Sequence, residues 1–194
     1  MRSLILPVLA ATMIVGGCDK QSDPAPQATK TQATKPADPA PTEPEQTGTL
    51  DISHKGEAMP IVAFEAPNGD QVTLGDFRGR PMLVNLWATW CGPCVAEMPT
   101  LDKLAEREAE RLQVMVISQD IQGRQFVDDF WAKTSFKLLE PYLDKKGDLG
   151  FAFATGMVPT TVLYDKNGKE VWRVIGGMNW DGPRANTLLA ETLG

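Results

Sequence analysis

Between residues 82 and 105 the chain passes from one apolar run into an amphipathic repeat, with two cysteines near the joint. Met82-Leu83-Val84-Asn85-Leu86-Trp87 is apolar at all but one position, so both faces of the segment need cover. That is the pattern of a central strand buried on both sides. From Cys91 to about Ala109, the residues Val95, Met98, Leu101, Leu104 and Ala105 return at steps of three and four, which predicts a helix with one buried face. Pro99 removes a backbone donor inside it and predicts a kink. Val114-Met115-Val116-Ile117 reads as a second buried strand. Strand, helix and strand in this order imply a parallel βαβ unit.

The flanks extend this unit. Ile61–Glu65 and Gln71–Leu74 are short strand-like runs around Pro67-Asn68-Gly69-Asp70, a hairpin signal. Thr161–Tyr164 and Val171–Ile175 form a second hairpin through Lys166-Asn167-Gly168. Helices are expected over Gly123–Thr134, with Phe126, Phe130 and Trp131 on one face, and over Asp148–Thr155. A last helix runs from Asp181-Gly182-Pro183 to about Leu193. The fold class is therefore α/β, a mixed central β-sheet flanked by helices with an added N-terminal β-hairpin.

Trp90-Cys91-Gly92-Pro93-Cys94 lies where the first buried strand meets its helix. Two intervening residues let the sulfurs close a disulfide at a helix start. Unpaired N–H groups and the helix dipole there favour a thiolate on Cys91. Cys94, one turn in, is shielded and suited to resolve a mixed disulfide made by Cys91. Pro93 has the backbone angle of a first helical turn. Zinc also uses C-x-x-C, but a structural zinc needs four ligands, and only His54 and Cys18 remain among soft donors. A thiol hydrolase needs a base beside the sulfur, and His54 is the single histidine. One C-x-x-C could also hold Cu(I) as a carrier. The net charge of −6 argues against a nucleic-acid partner.

The chain begins with an address. Met1-Arg2 precedes an apolar stretch, Leu4 to Val15, which as a helix spans about 18 Å. That is too short for a hydrocarbon core of about 30 Å, so residues 1–17 read as a signal peptide. Val15-Gly16-Gly17-Cys18 resembles a bacterial lipobox, which implies cleavage before Cys18 and lipidation of that residue. Under enterobacterial-type sorting, Asp19 after it implies retention at the inner membrane. Residues 19–48 contain six of the 15 prolines and no aromatic residue, Leu, Ile, Val or Met. Residues 18–49 are therefore expected to form a disordered, semi-extended tether, with the folded head spanning 50–194.

The run Asn85-Leu86-Trp87-Ala88-Thr89-Trp90-Cys91-Gly92-Pro93-Cys94, continued by Glu97-Met98-Pro99, resembles the membrane-anchored thioredoxin-like family typified by TlpA and ResA. Gly176-Gly177 and Trp180 look closer to TlpA. The resemblance implies a thioredoxin fold and a thiol–disulfide oxidoreductase that needs no cofactor beyond its Cys91–Cys94 pair. Val158-Pro159-Thr160 matches the family's cis-proline loop, so Pro159 is expected to be cis and to lie against the sulfurs. Thioredoxin itself places a buried Asp where this chain has Asn85, which cannot titrate. The resemblance assigns the proton-accepting role instead to a hairpin glutamate, here Glu65. Trp90, Gly92 and Pro93 complete the surround, Trp87 is expected in the core, and Glu97 is expected to be a solvated helix residue.

The family further implies a periplasm-facing monomer that reduces Sco-like copper proteins, cytochrome oxidase subunit II or apocytochrome c. Its electrons would come from a membrane thiol donor of the DsbD or CcdA type. A disulfide-donating oxidase or isomerase is the alternative, although oxidants of the DsbA kind carry a His inside the motif and this chain has none there. A thiol peroxidase would need a Pro-x-x-x-Thr/Ser-x-x context that neither Cys91 nor Cys94 has.

Overall fold

The computed structural model describes residues 47–193. The expected signal peptide, Cys18 and the expected tether up to residue 46 lie outside them. The eight strands are β1 (Thr47–Asp51), β2 (Ala63–Glu65), β3 (Gln71–Thr73), β4 (Met82–Trp87), β5 (Gln113–Ser118), β6 (Pro141–Leu143), β7 (Thr160–Tyr164) and β8 (Glu170–Met178). The four helices are α1 (Gly92–Arg107), α2 (Arg124–Trp131), α3 (Asp148–Phe153) and α4 (Pro183–Leu193), and a 3-10 turn covers Leu74–Phe77.

The strands form one mixed sheet in the order β1-β8-β7-β4-β5-β6-β2-β3. β4 pairs parallel with β5, and β5 parallel with β6, while β7 and β8 run antiparallel to their neighbours. β4 sits in the middle with all six residues buried, as its apolar run requires. Its side chains alternate between two cores. Leu83 and Trp87 join Met98, Leu101 and Leu104 of α1 and Leu189 of α4 on one face. Met82, Val84 and Leu86 join Phe64, Leu74 and the α3 residues Leu149 and Phe153 on the other. Burying aliphatic side chains of this size stabilises the fold by about 1.5–3 kcal/mol each.

Both predicted hairpins are present. Gly69 and Gly168 take positive φ angles of 90° and 74° at their turns, a conformation that favours glycine. Pro99 lies inside α1, which continues to Arg107.

Three local expectations change. The sheet starts at Thr47 rather than after residue 49, because β1 pairs with β8 from Thr47 opposite Met178 to Asp51 opposite Arg173. β6 is a further strand of three residues, held by β5 on one side and β2 on the other. Phe126 points to solvent, whereas Phe130 and Trp131 pack on Trp87 at ring-centre distances of 5.0 and 5.9 Å. Among the described residues no helix is long and apolar enough to cross a membrane.

Candidate active site

β4 ends at Trp87, and the chain turns through Ala88-Thr89-Trp90 into α1. Asp120, at the end of β5, fixes that turn. Its buried carboxylate accepts from the Thr89 N–H at 3.0 Å, the Thr89 hydroxyl at 2.7 Å and the Ser118 hydroxyl at 2.6 Å. Two strand-end loops are thereby tied together just ahead of the cysteines.

Cys91 and Cys94 form a disulfide with an S–S length of 2.05 Å and a Cα–Cα separation of 5.2 Å. Cys91 is the N-cap of α1, Gly92 and Pro93 form its first two positions, and the Cys94 N–H donates to Cys91 Sγ at 3.2 Å. An N-cap side chain is normally an oxygen that satisfies one of the helix's free N–H groups. Here a sulfur does so, in a setting that stabilises a thiolate on Cys91 once the disulfide opens. Cys94 is fully buried.

The Val158–Pro159 peptide is cis, and the Val158 carbonyl oxygen lies 3.7 Å from Cys91 Sγ. The buried Thr160 donates its hydroxyl to Met157 O at 2.8 Å, which shapes this loop. Trp90 stands beside the pair with 68% of its surface exposed, while Trp87 is buried in the core.

The structure does not bring Glu65 to the sulfurs. Glu65 sits in β2 opposite Leu143, and β6 and β5 lie between β2 and β4. At strand spacings of about 4.8 Å, that is roughly 14 Å across the sheet. Its carboxylate pairs with Arg124 Nε at 2.8 Å, and the same guanidinium also binds Pro141 O and Ala66 O. Glu65 and Arg124 clasp the hairpin to the start of α2, and this ion pair corrects the expectation of a proton acceptor.

The carboxylate near Cys94 is Glu97, which is 2% exposed rather than solvated as its charge predicts. It lies three residues past Cys94 on the same helix face. Glu97 Oε1 accepts from Asn85 Nδ2 at 2.8 Å, and Oε2 accepts from the Met178 N–H at 2.9 Å and Trp180 Nε1 at 3.1 Å. Burial pushes its pKa from the ordinary 4.5 up to about 7, against the pull of those three donors. Asn85 gives its second amide hydrogen to Thr161 Oγ1 at 2.8 Å, and its Oδ1 has no partner among the described residues. The periodicity already held the signal, since 94, 97, 101 and 104 form one helical row. A charge within that row suggests solvent unless the distant donors that receive it are known.

Among the described residues no group of three or more His, Cys, Asp or Glu is placed to hold a metal. The arrangement suits dithiol–disulfide exchange, with the Glu97 carboxylate one helical turn past Cys94 on α1.

The Redoxin family profile matches residues 54–189. The thiol-disulfide oxidoreductase ResA of Bacillus thuringiensis (strain Al Hakam) is 32% identical over 126 residues, covering 59% of this chain and 70% of that protein. A solved structure from Chlorobium tepidum, described as thiol:disulfide interchange protein DsbE, matches with a TM-score of 0.65 at 26% identity, over 72% of this chain and 98% of that one. The exposed lipoprotein thioredoxin Etrx1 of Streptococcus pneumoniae strain TIGR4 gives a TM-score of 0.56 at 28% identity, over 67% and 98%. Profile, relatives and sulfur geometry converge: this chain belongs to the Redoxin family, among its TlpA/ResA-type thiol–disulfide oxidoreductases.

Proposed function

We propose that the protein is a reductant of disulfides in proteins outside the cytoplasm, held to the inner membrane by lipid on Cys18 and facing the periplasm. The observation that supports the direction is the Gly92-Pro93 pair between the cysteines, the pair of reducing thioredoxins, while an N-capping Cys91 and a buried Glu97 on the Cys94 side of α1 serve the exchange itself. In the reduced state the Cys91 thiolate attacks a partner disulfide, and one partner sulfur leaves as thiolate. Glu97 then accepts the Cys94 proton, and Cys94 attacks Cys91 Sγ. The partner's second sulfur departs, and the protein is left with the Cys91–Cys94 disulfide. Two electrons have passed to the partner. The Val158-Pro159-Thr160 loop and Trp90 dock the partner during this cycle.

The anchor is supported by the Val15-Gly16-Gly17-Cys18 motif and by the lipoprotein description of Etrx1. The partners this reading favours are oxidised Sco-like copper proteins, cytochrome oxidase subunit II and apocytochrome c, with re-reduction by a membrane thiol donor of the DsbD or CcdA kind. The test is the reduction potential of the full chain equilibrated in dithiothreitol or glutathione buffers. A potential near that of thioredoxin, about −270 mV, supports a reductant. One near about −120 mV, the range of strong disulfide donors, overturns the reading.

A further inference from the structure

Two hollows lie at one end of the sheet. The nearer, of about 330 Å³, borders Val158 and Trp90 and is mainly apolar, with Met157 and Phe151 in its walls. The farther, of about 770 Å³, is bounded by Ile61, Val62, Lys145, Lys146 and Phe151. Phe151 belongs to both and is 82% exposed, so it forms the ridge between them.

The topology explains their alignment. β4, β5 and β6 run parallel, and β2 runs antiparallel to β6. The start of β2 therefore lies at the same end of the sheet as the carboxyl ends of the other three, where Cys91 follows β4. The hollows form a track across those ends, from the disulfide to the hairpin.

Four large apolar side chains are exposed along this track: Trp90, Met157, Phe151 and Ile61, the last at 90%. Each leaves apolar surface in water, and clustered exposure of this kind marks a contact surface. Gly150 sits inside α3, where glycine costs about 1 kcal/mol against alanine. A Cβ there would lie 3.0 Å from Gln119 Oε1, in the wall of the nearer hollow. The farther hollow has two exposed lysines on its rim. Glu65 is occupied by Arg124, and the buried Asp144 accepts from the Asp148 and Leu149 N–H groups. Asp148 is the one exposed carboxylate lining it, against the exposed Lys145 and Lys146, and among the described residues neither lysine forms an ion pair.

The geometry points to an extended docking track that selects the partner: a protein segment in open conformation, its reactive cysteine at Cys91, laying an apolar residue followed by an acidic one into the farther hollow. This rests on the reading that the partner is a protein disulfide. Across Phe151 the farther hollow adjoins the nearer one, which borders the exchange site that every partner must touch. Three strand spacings separate β4 from β2, about 14 Å, and an extended chain rises about 3.3 Å per residue. The apolar residue thus falls about four or five positions from the partner cysteine.

The test uses the reduced full-length protein and two synthetic peptides, each with one cysteine capped as a mixed disulfide with glutathione. One carries Leu-Glu beginning four positions from the cysteine, and the other carries Ser-Ser there. We expect the Leu-Glu peptide to react about tenfold faster. Phe151→Ser and, separately, the surface change Ile61→Ser are expected to abolish that preference. Both should leave the rate with free glutathione disulfide and the reduction potential unchanged. A Lys145→Glu, Lys146→Glu variant is expected to favour a Leu-Lys peptide over Leu-Glu. Equal rates for the two peptides with the unaltered protein, or a preference that survives Ile61→Ser, would overturn the track. Failure to reduce glutathione disulfide at all counts against the reductant reading, which the peptide ratio does not probe.

Discussion

Replacing Glu97 by Gln removes a titrating group buried one helical turn from Cys94 while keeping its shape. The new amide can be accommodated. Asn85 Oδ1 has no partner among the described residues, so turning the Asn85 amide over presents an acceptor to the glutamine NH₂, and the Thr161 hydroxyl can rotate to donate. In the unfolded chain Glu97 titrates near 4.5, and in the folded protein near 7. Between those values the folded protein holds the proton that the unfolded chain has released. Its stability is therefore full below pH 4.5 and falls as pH rises through about 7. The whole interval corresponds to about 3 kcal/mol, of which about 2 kcal/mol falls between pH 5 and pH 8. Urea unfolding of the oxidised protein and of Glu97→Gln at those two pH values isolates the effect, since other titrating groups cancel in the comparison. The variant's midpoint is expected to gain on that of the unaltered protein by about 1 M urea from pH 5 to pH 8. The pH dependence of the exchange rate near 7 should flatten in the same variant. Parallel midpoints at the two pH values would refute the argument.

Glu65→Gln loosens the clasp on Arg124 and is expected to cost about 1 kcal/mol in denaturant unfolding. It should leave the pH profile of thiol exchange unmoved, and a shifted profile would show that Glu65 reaches the sulfurs after all. Asp120→Ala leaves the Thr89 N–H and two hydroxyls without their acceptor and is expected to cost about 2–4 kcal/mol, read by thermal unfolding. An effect within about 0.5 kcal/mol would mean that the turn ahead of Cys91 holds itself.

The parts of the fold legible in the sequence were those whose burial is continuous or strictly periodic. β4 and β5 announce themselves because a strand covered on both faces has almost no polar residues. The cysteine pair is legible because motif, strand end and helix start coincide. β1 and β6 were not legible. Thr47-Gly48-Thr49-Leu50-Asp51 is an edge strand with little to bury, and Pro141-Tyr142-Leu143 is too short to show alternation. Their existence depends on partners distant in sequence, β8 for one and β5 for the other. Glu97 shows a further limit. A lone residue's charge suggests solvent, yet Met178 N–H and Trp180 Nε1 come from β8 and the loop after it, about eighty residues on, to receive the carboxylate. Glu65 erred in the opposite sense: its hairpin was read correctly, but the distance across the sheet depends on the position of β6.

The pairing of β1 with β8 fixes where the folded head is held. β8 runs parallel to β4 through the antiparallel β7, so β1 runs opposite to β4, and Thr47, beside Met178, lies at the carboxyl end of β4. Whatever chain precedes Thr47 thus leaves the sheet at the end that bears the disulfide. A load applied through that chain draws the head by its reactive pole, like a lamp hung by its bulb end.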